Sequence, residues 1–243
     1  MRFLLPLFCL LAAFAQADYG TAILPLGPDN AAATVHFYKF DQKTHGVRLI
    51  DAKSAPGGPF KRLKQAMEKG DYVAGCNGGF FHRNREPVGL AVADGKVRGS
   101  LNLKSSVASG ALVSDGKTIR LLEKSALRKV RPPYPKQLVQ TGPFLVRNGK
   151  AVSGLKEGRY HRRTFVATDG KGTWIIAFTP PTSLARLSKV LADEKTFQSM
   201  NIKTALNCDG GASAAFYAKQ TRGNPISFRE INSVINYIGV YKK

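Results

Sequence analysis

Two short segments of this chain place a carboxamide or carboxylate immediately before paired glycines. They are Asn77-Gly78-Gly79-Phe80-Phe81 and Asn207-Cys208-Asp209-Gly210-Gly211-Ala212-Ser213. Paired glycines tolerate positive φ and let main-chain N–H groups approach an anion closely. One such segment alone reads as a tight turn whose Asn or Asp satisfies its own backbone. Two of the same design, with a basic cluster elsewhere, point to a site. That cluster is Tyr160-His161-Arg162-Arg163-Thr164. There Arg163 offers a bidentate fork for a phosphate and Thr164 adds a hydroxyl; a solvated basic turn is the alternative. Asp209 is the sole acidic residue inside the Gly-rich segments, which makes it the candidate for activating water. Glu86, near Asn77 and beside Pro87, is held in reserve.

These residues need elements to carry them, and the chain reads mainly as short strands. Thr34 to Phe40, Val47 to Ile50, Gly89 to Ala93, Ala111 to Ser114 and Thr118 to Leu122 alternate or run apolar between turn signals. Tyr72 to Cys76 leads straight into Asn77, and Lys203 to Asn207 leads into Cys208. Further strands are expected at Gln137 to Arg147, with a bend at Gly142-Pro143, and at Thr164 to Thr168. Two more follow, Thr173 to Phe178, stopped by Pro180-Pro181, and Ser233 to Tyr241. Phe60 to Lys69 is predicted as a helix, and a second helix runs from a cap at Thr182 or Ser183 to about Met200, with Leu184, Leu187 and Leu191 on one face. Strands outnumber helices, so the expected class is α/β of the α+β type: a single domain with a large mixed β-sheet and two main helices.

Composition and length narrow the class. The chain has 243 residues, 37 Lys+Arg against 16 Asp+Glu, and a formal net charge of +21, with 43% hydrophobic residues. That is enough apolar content for a packed core and excludes a disordered composition. Three cysteines without a CxxC pair exclude a disulfide-stapled miniprotein and offer no zinc motif. No GxGxxG, GxSxG or HExxH occurs, and Gly116-Lys117-Thr118 fails as a P-loop because position 111 is Ala. The opening MRFLLPLFCLLAAFAQA has a basic start, an apolar run too short to span a bilayer and an Ala-Gln-Ala end, the pattern of a secretory signal over residues 1–17. The mature domain is then expected at 18–243, periplasmic or secreted, with no membrane span. A basic exported protein is drawn to anionic glycans and envelope polymers; nothing in the sequence reads as specific nucleic-acid recognition.

Taken together, Asn77-Gly78-Gly79-Phe80-Phe81, Pro87 with Gly89, Gln140-Thr141-Gly142-Pro143, Arg163-Thr164 and Asn207-Cys208-Asp209-Gly210-Gly211-Ala212-Ser213 resemble the phosphodiester glycosidase family in order and rough spacing. The likeness covers roughly residues 34 to 241. Two departures stand out: Cys208 where the family usually has Leu, and Ala212 where it has a third Gly. The resemblance implies hydrolysis of a sugar-1-phosphodiester. Such a leaving group departs as a stable phosphate monoester, so a general acid is dispensable and positive charge with N–H donors is what helps.

On that reading Asp209, Arg163 and Asn77 carry the chemistry. Gly78, Gly79, Gly210 and Gly211 would offer N–H groups to the phosphate. Asn77 and Asn207 would hold sugar hydroxyls or orient Asp209, with Thr164 and Ser213 as further polar contacts. Two other readings stay open: a phosphodiesterase that breaks the P–O bond, and a non-catalytic binder of anionic envelope polysaccharide. No cofactor is expected; Asn77, Asn207 and Asp209 could meet a Ca²⁺ ion, but with one charge among them they make no dedicated cage. Strand alternation points Cys76 and Cys208 away from the Asn77 and Asp209 face, where they either pair as a disulfide or stay as buried thiols.

Overall fold

A computed structural model describes residues 18–193, 197 and 200–243. The expected signal segment, 1–17, lies outside the described residues. Along the chain the elements are β1 (Asp18–Pro25), β2 (Ala32–Asp41), β3 (His45–Asp51), α1 (Leu63–Lys69), β4 (Ala74–Asn77), β5 (Ala91–Ala93), β6 (Lys96–Arg98), β7 (Gly110–Ser114), β8 (Ile119–Glu123), α2 (Lys124–Leu127), β9 (Gln137–Thr141), β10 (Phe144–Arg147), β11 (Lys150–Ala151), β12 (His161–Thr168), β13 (Thr173–Thr182), α3 (Leu184–Ala192), β14 (Thr204–Asn207), β15 (Phe216–Ala218), β16 (Ile226–Phe228) and β17 (Asn236–Lys242).

The strands form three sheets, ordered β1-β2-β13-β12-β14-β10-β11, β16-β15-β4-β17-β3 and β6-β5-β9-β7-β8. The α+β class holds, but in place of one large mixed sheet there are three, and every pairing among them is antiparallel. A parallel neighbour needs a long crossover, usually helical, and this chain has few helices to supply one.

Alternation along the strands builds the layers. In β12 and β13, Val166, Ile176 and Phe178 turn into a core shared with Cys76, Phe216 and Ile238 of the second sheet. Their neighbours Phe165, Ala167, Ile175 and Ala177 turn the other way, onto Leu187 and Leu191 of α3. On the far side of the second sheet, Leu63, Ala66 and Met67 of α1 pack on Tyr217 and Tyr237. The seven-stranded sheet therefore has α3 on one face and the central core on the other. The ends of β12, β14 and β4 meet where that core reaches the surface.

Three local expectations are corrected. The first helix begins at Leu63, because Arg62 has extended backbone (φ −141°, ψ 145°), although Phe60 is buried beside it. The second ends at Ala192, with Asp193 extended (φ −76°, ψ 119°). The apolar pattern ran on because Phe197 and Met200 still enter the same core from outside the helix. Finally, β13 continues through Pro180-Pro181 to Thr182. Its pairing with β2 ends at Phe178, so the prolines remove no N–H that β2 would need. A register shift in the β12–β13 ladder falls between His161 and Arg163, the kind of bulge that re-aims a side chain beside a site. No helix among the described residues is long and apolar enough to cross a membrane.

Candidate active site

Asn77 closes β4 and is fully buried. Its Nδ2 donates to the Asp209 carbonyl at 2.6 Å, and its Oδ1 accepts from Thr164 Oγ1 at 2.8 Å and from the Ala215 N–H at 3.1 Å. The Asp209 N–H donates in turn to the Gly78 carbonyl at 3.0 Å. The two Gly-rich segments are thus stitched together across two sheets, with Thr164, also fully buried, as the third member. Asn77 touches Asp209 through the main chain, so it orients the acid and its amide is spent inside the protein. Asn77→Ala should cost roughly 1–3 kcal/mol, because it leaves the Ala215 N–H without its acceptor in the interior, while Thr164 Oγ1 can still donate to the Asp209 carbonyl at 3.3 Å. Urea unfolding measures this; a loss below about 1 kcal/mol would mean that the brace is dispensable.

Asn207 is likewise buried and turned inward. Its Nδ2 donates to the carbonyls of Gly142 (2.8 Å) and Cys208 (2.6 Å), and its N–H donates to Pro143 O. Thr141 Oγ1 donates to the Asn207 carbonyl. The Gln140-Thr141-Gly142-Pro143 motif is therefore the seat of the strand that presents Asp209. Gln140 itself braces: its Oε1 accepts from the N–H groups of Leu90 and Asn102, and its Nε2 donates to the carbonyls of Asn102 and Ala108.

The first glycine pair does not offer its N–H groups outward. Gly78 donates to the Asn236 carbonyl and Gly79 to Asn236 Oδ1, both at 3.0 Å. A side chain at Gly79 would meet the Gln140 carbonyl at 2.6 Å, so this glycine serves close packing of two main chains. The second pair differs. The Gly210 N–H acts on the Asp209 carboxyl, holding it down, and Gly211 takes φ 62°, the one left-handed position of the turn. Ala212, where the family has glycine, keeps φ negative, so its methyl is accommodated.

Arg163 is 8% exposed. Its Nε donates to Thr182 O at 3.3 Å and its Nη2 to Arg159 O at 3.2 Å. Those bonds leave Nη1, which lies beside Gly210. Asp209, half-buried, sits in the field of this guanidinium. Burial pushes its carboxyl up to about 6; bonds from Ser213 and the Gly210 N–H and the charge of Arg163 pull the other way. Burial lowers Arg163 from its ordinary value, against the charge of Asp209. A carboxylate titrating near 6 beside a fixed cation is suited to accept a proton near neutral pH.

The structure therefore brings together Asp209, Arg163, Thr164, Asn77, Asn207, Gly210, Gly211 and Ser213. Glu86 is apart from them: its carboxylate pairs with Arg98 at 3.1 Å, and Arg98 also holds Asp51 at 3.0 Å. The oxygen of Asn77 already accepts two bonds and is not offered to a cation. Among the described residues no group of His, Cys, Asp and Glu is assembled for a metal.

Two supporting residues were given no role by the sequence: Asn236, and Arg162 within the basic cluster. Asn236 holds the first glycine pair; its signal was a polar residue opening an otherwise apolar strand. Arg162 donates through Nε and Nη2 to the Gly211 carbonyl and through Nη1 to Arg229 O, lying over the Phe178 ring. The imidazole of His161 stands at the exposed rim, beside Gly211.

The catalytic domain of zebrafish N-acetylglucosamine-1-phosphodiester alpha-N-acetylglucosaminidase, auto-inhibited by its pro-peptide, is 15% identical with a TM-score of 0.67, covering 94% of this chain and 83% of that one. A Synechocystis protein without assigned role is 13% identical, also with a TM-score of 0.67, over 93% and 62% of the two chains. A Burkholderia pseudomallei K96243 protein, described as a candidate exported protein, is 13% identical with a TM-score of 0.53, over 89% and 75%. At these identities the likeness is one of fold. No curated protein matches by sequence. The profile of the phosphodiester glycosidases matches residues 70–241, the span that holds every residue of the Asp209–Arg163–Asn77 constellation, and the chain belongs to that family.

Proposed function

We propose that this protein is an exported hydrolase that cleaves the glycosidic bond of a sugar-1-phosphodiester. Water adds to the anomeric carbon, the bond from that carbon to the phosphate oxygen breaks, and a phosphate monoester leaves. Asp209 takes the proton of the attacking water or stabilises the oxocarbenium-like centre. Arg163 receives the phosphate through its unspent Nη1. The observation that carries this reading is one carboxylate, held up to about 6, standing in the field of one guanidinium anchored by two main-chain carbonyls. An ordinary glycoside would need a second carboxylic acid across the bond. The reserve acid, Glu86, is tied to Arg98 instead. The zebrafish relative is named for a phosphodiester of this kind. Export is supported by the opening apolar run with its Ala-Gln-Ala end.

The test is a panel of sugar-1-phosphodiesters hydrolysed in ¹⁸O-labelled water. Free sugar carrying the label supports the proposal. Label in the phosphate would assign P–O cleavage, and salt-sensitive binding without turnover across the panel would assign a polysaccharide binder.

A further inference from the structure

Cys76 and Cys208 occupy matching places, one residue before Asn77 and one before Asp209. Both are free thiols in this structure, fully buried in the same central core cluster. They belong to different sheets: Cys76 lies in β4, paired with Phe216 and Ile238, and Cys208 follows β14, its N–H donating to the Thr164 carbonyl. The next residue on each side ties the two chains again, through Asn77 Nδ2 to Asp209 O and Asp209 N–H to Gly78 O. Two cysteines in one core cluster, with their neighbours tied to each other across the two chains, are placed to face one another, which is what a bridge needs if the backbone is not to be rebuilt.

We propose that Cys76 and Cys208 close into a disulfide that fastens the two strands presenting Asn77 and Asp209. The two thiols give up two protons and two electrons to a low-molecular-weight disulfide, which is reduced to two thiols by way of a mixed disulfide. The neighbouring Cys76 and burial both hold the Cys208 thiol well above its ordinary range, so thiolate is scarce once the core has formed. Closure therefore belongs to folding, before the sheets cover the pair. Afterwards the bond is a buried staple beyond the reach of reductant. The proposal stands on the core geometry and does not depend on the hydrolytic reading.

The full chain is refolded in a mixture of reduced and oxidised glutathione, alkylated in denaturant and digested with trypsin. The expected product is peptide 70–83 joined to peptide 204–219. The link should survive dithiothreitol under native conditions and be lost when denaturant is added. The oxidised protein should melt on the order of 10 °C above the reduced one, since the bridge closes a long loop. Alkylation of both cysteines after oxidative refolding, a link to Cys9 instead, or equal melting of the oxidised and reduced forms would each overturn the proposal.

Discussion

Replacing Asp209 with Asn should lower kcat by roughly 10³-fold or more while stabilising the fold at neutral pH. The first effect follows if Asp209 is the base, because an amide cannot take the proton of water. The second follows from the environment of the same group. The folded carboxyl titrates at about 6, above its ordinary 3.8. Between those values the folded chain holds a proton that the unfolded chain has already released. Stability therefore falls as pH rises through that window, and above it the ionised group costs on the order of 3 kcal/mol. Asn removes the charge but also weakens the bonds from Ser213 and Gly210, so the net gain is a rise of a few degrees in Tm at pH 8. Two measurements decide it. In the wild type, kcat/KM should climb through about pH 6 and Tm should decline over the same range; in the Asn variant both dependences should flatten. Full activity in the Asn variant would remove Asp209 from the mechanism.

Arg163→Gln carries the second large effect, an expected loss of about 10²–10³ in kcat/KM. Its guanidinium is the buried cation of the site, and two of its nitrogens are fixed on Thr182 O and Arg159 O. That anchoring fixes Nη1 beside Gly210 before substrate arrives, which is where a preorganised donor has its value. Lys restores the charge but cannot hold both carbonyls and present a third donor, so Arg163→Lys should recover only part of the loss. A consequence specific to this pair separates its electrostatic role from a structural one. Arg163 pulls the Asp209 carboxyl downward, so its removal should move the rise in kcat/KM above pH 6. A midpoint that stays in place would show that the two charges do not act on one another.

The residues that meet at the site could be named from the chain alone, because their chemistry is local. A short polar side chain followed by two glycines is a main-chain device, and Arg163-Thr164 before an apolar strand is legible in the same way. Strand alternation also foretold that Cys76 and Cys208 would share the side opposite Asn77 and Asp209. What alternation cannot supply is the partner. Cys76 and Cys208 lie in different sheets, as do Asn77 and Thr164, and only packing of one sheet on the other brought each pair into contact. The same long-range packing decided which donors remained. Gly78 and Gly79 carry the same local signal as Gly210 and Gly211, yet Asn236, far along the chain, consumes their N–H groups. Arg163 and its neighbour Arg162 are chemically alike in sequence. The bulge opposite Thr179 to Thr182 sends one beside Gly210 and leaves the other bracing Gly211. Residue type and spacing determined what chemistry this chain could attempt; the tertiary fold decided which groups were left unspent to perform it, since a buried donor goes to whatever acceptor the packing places beside it.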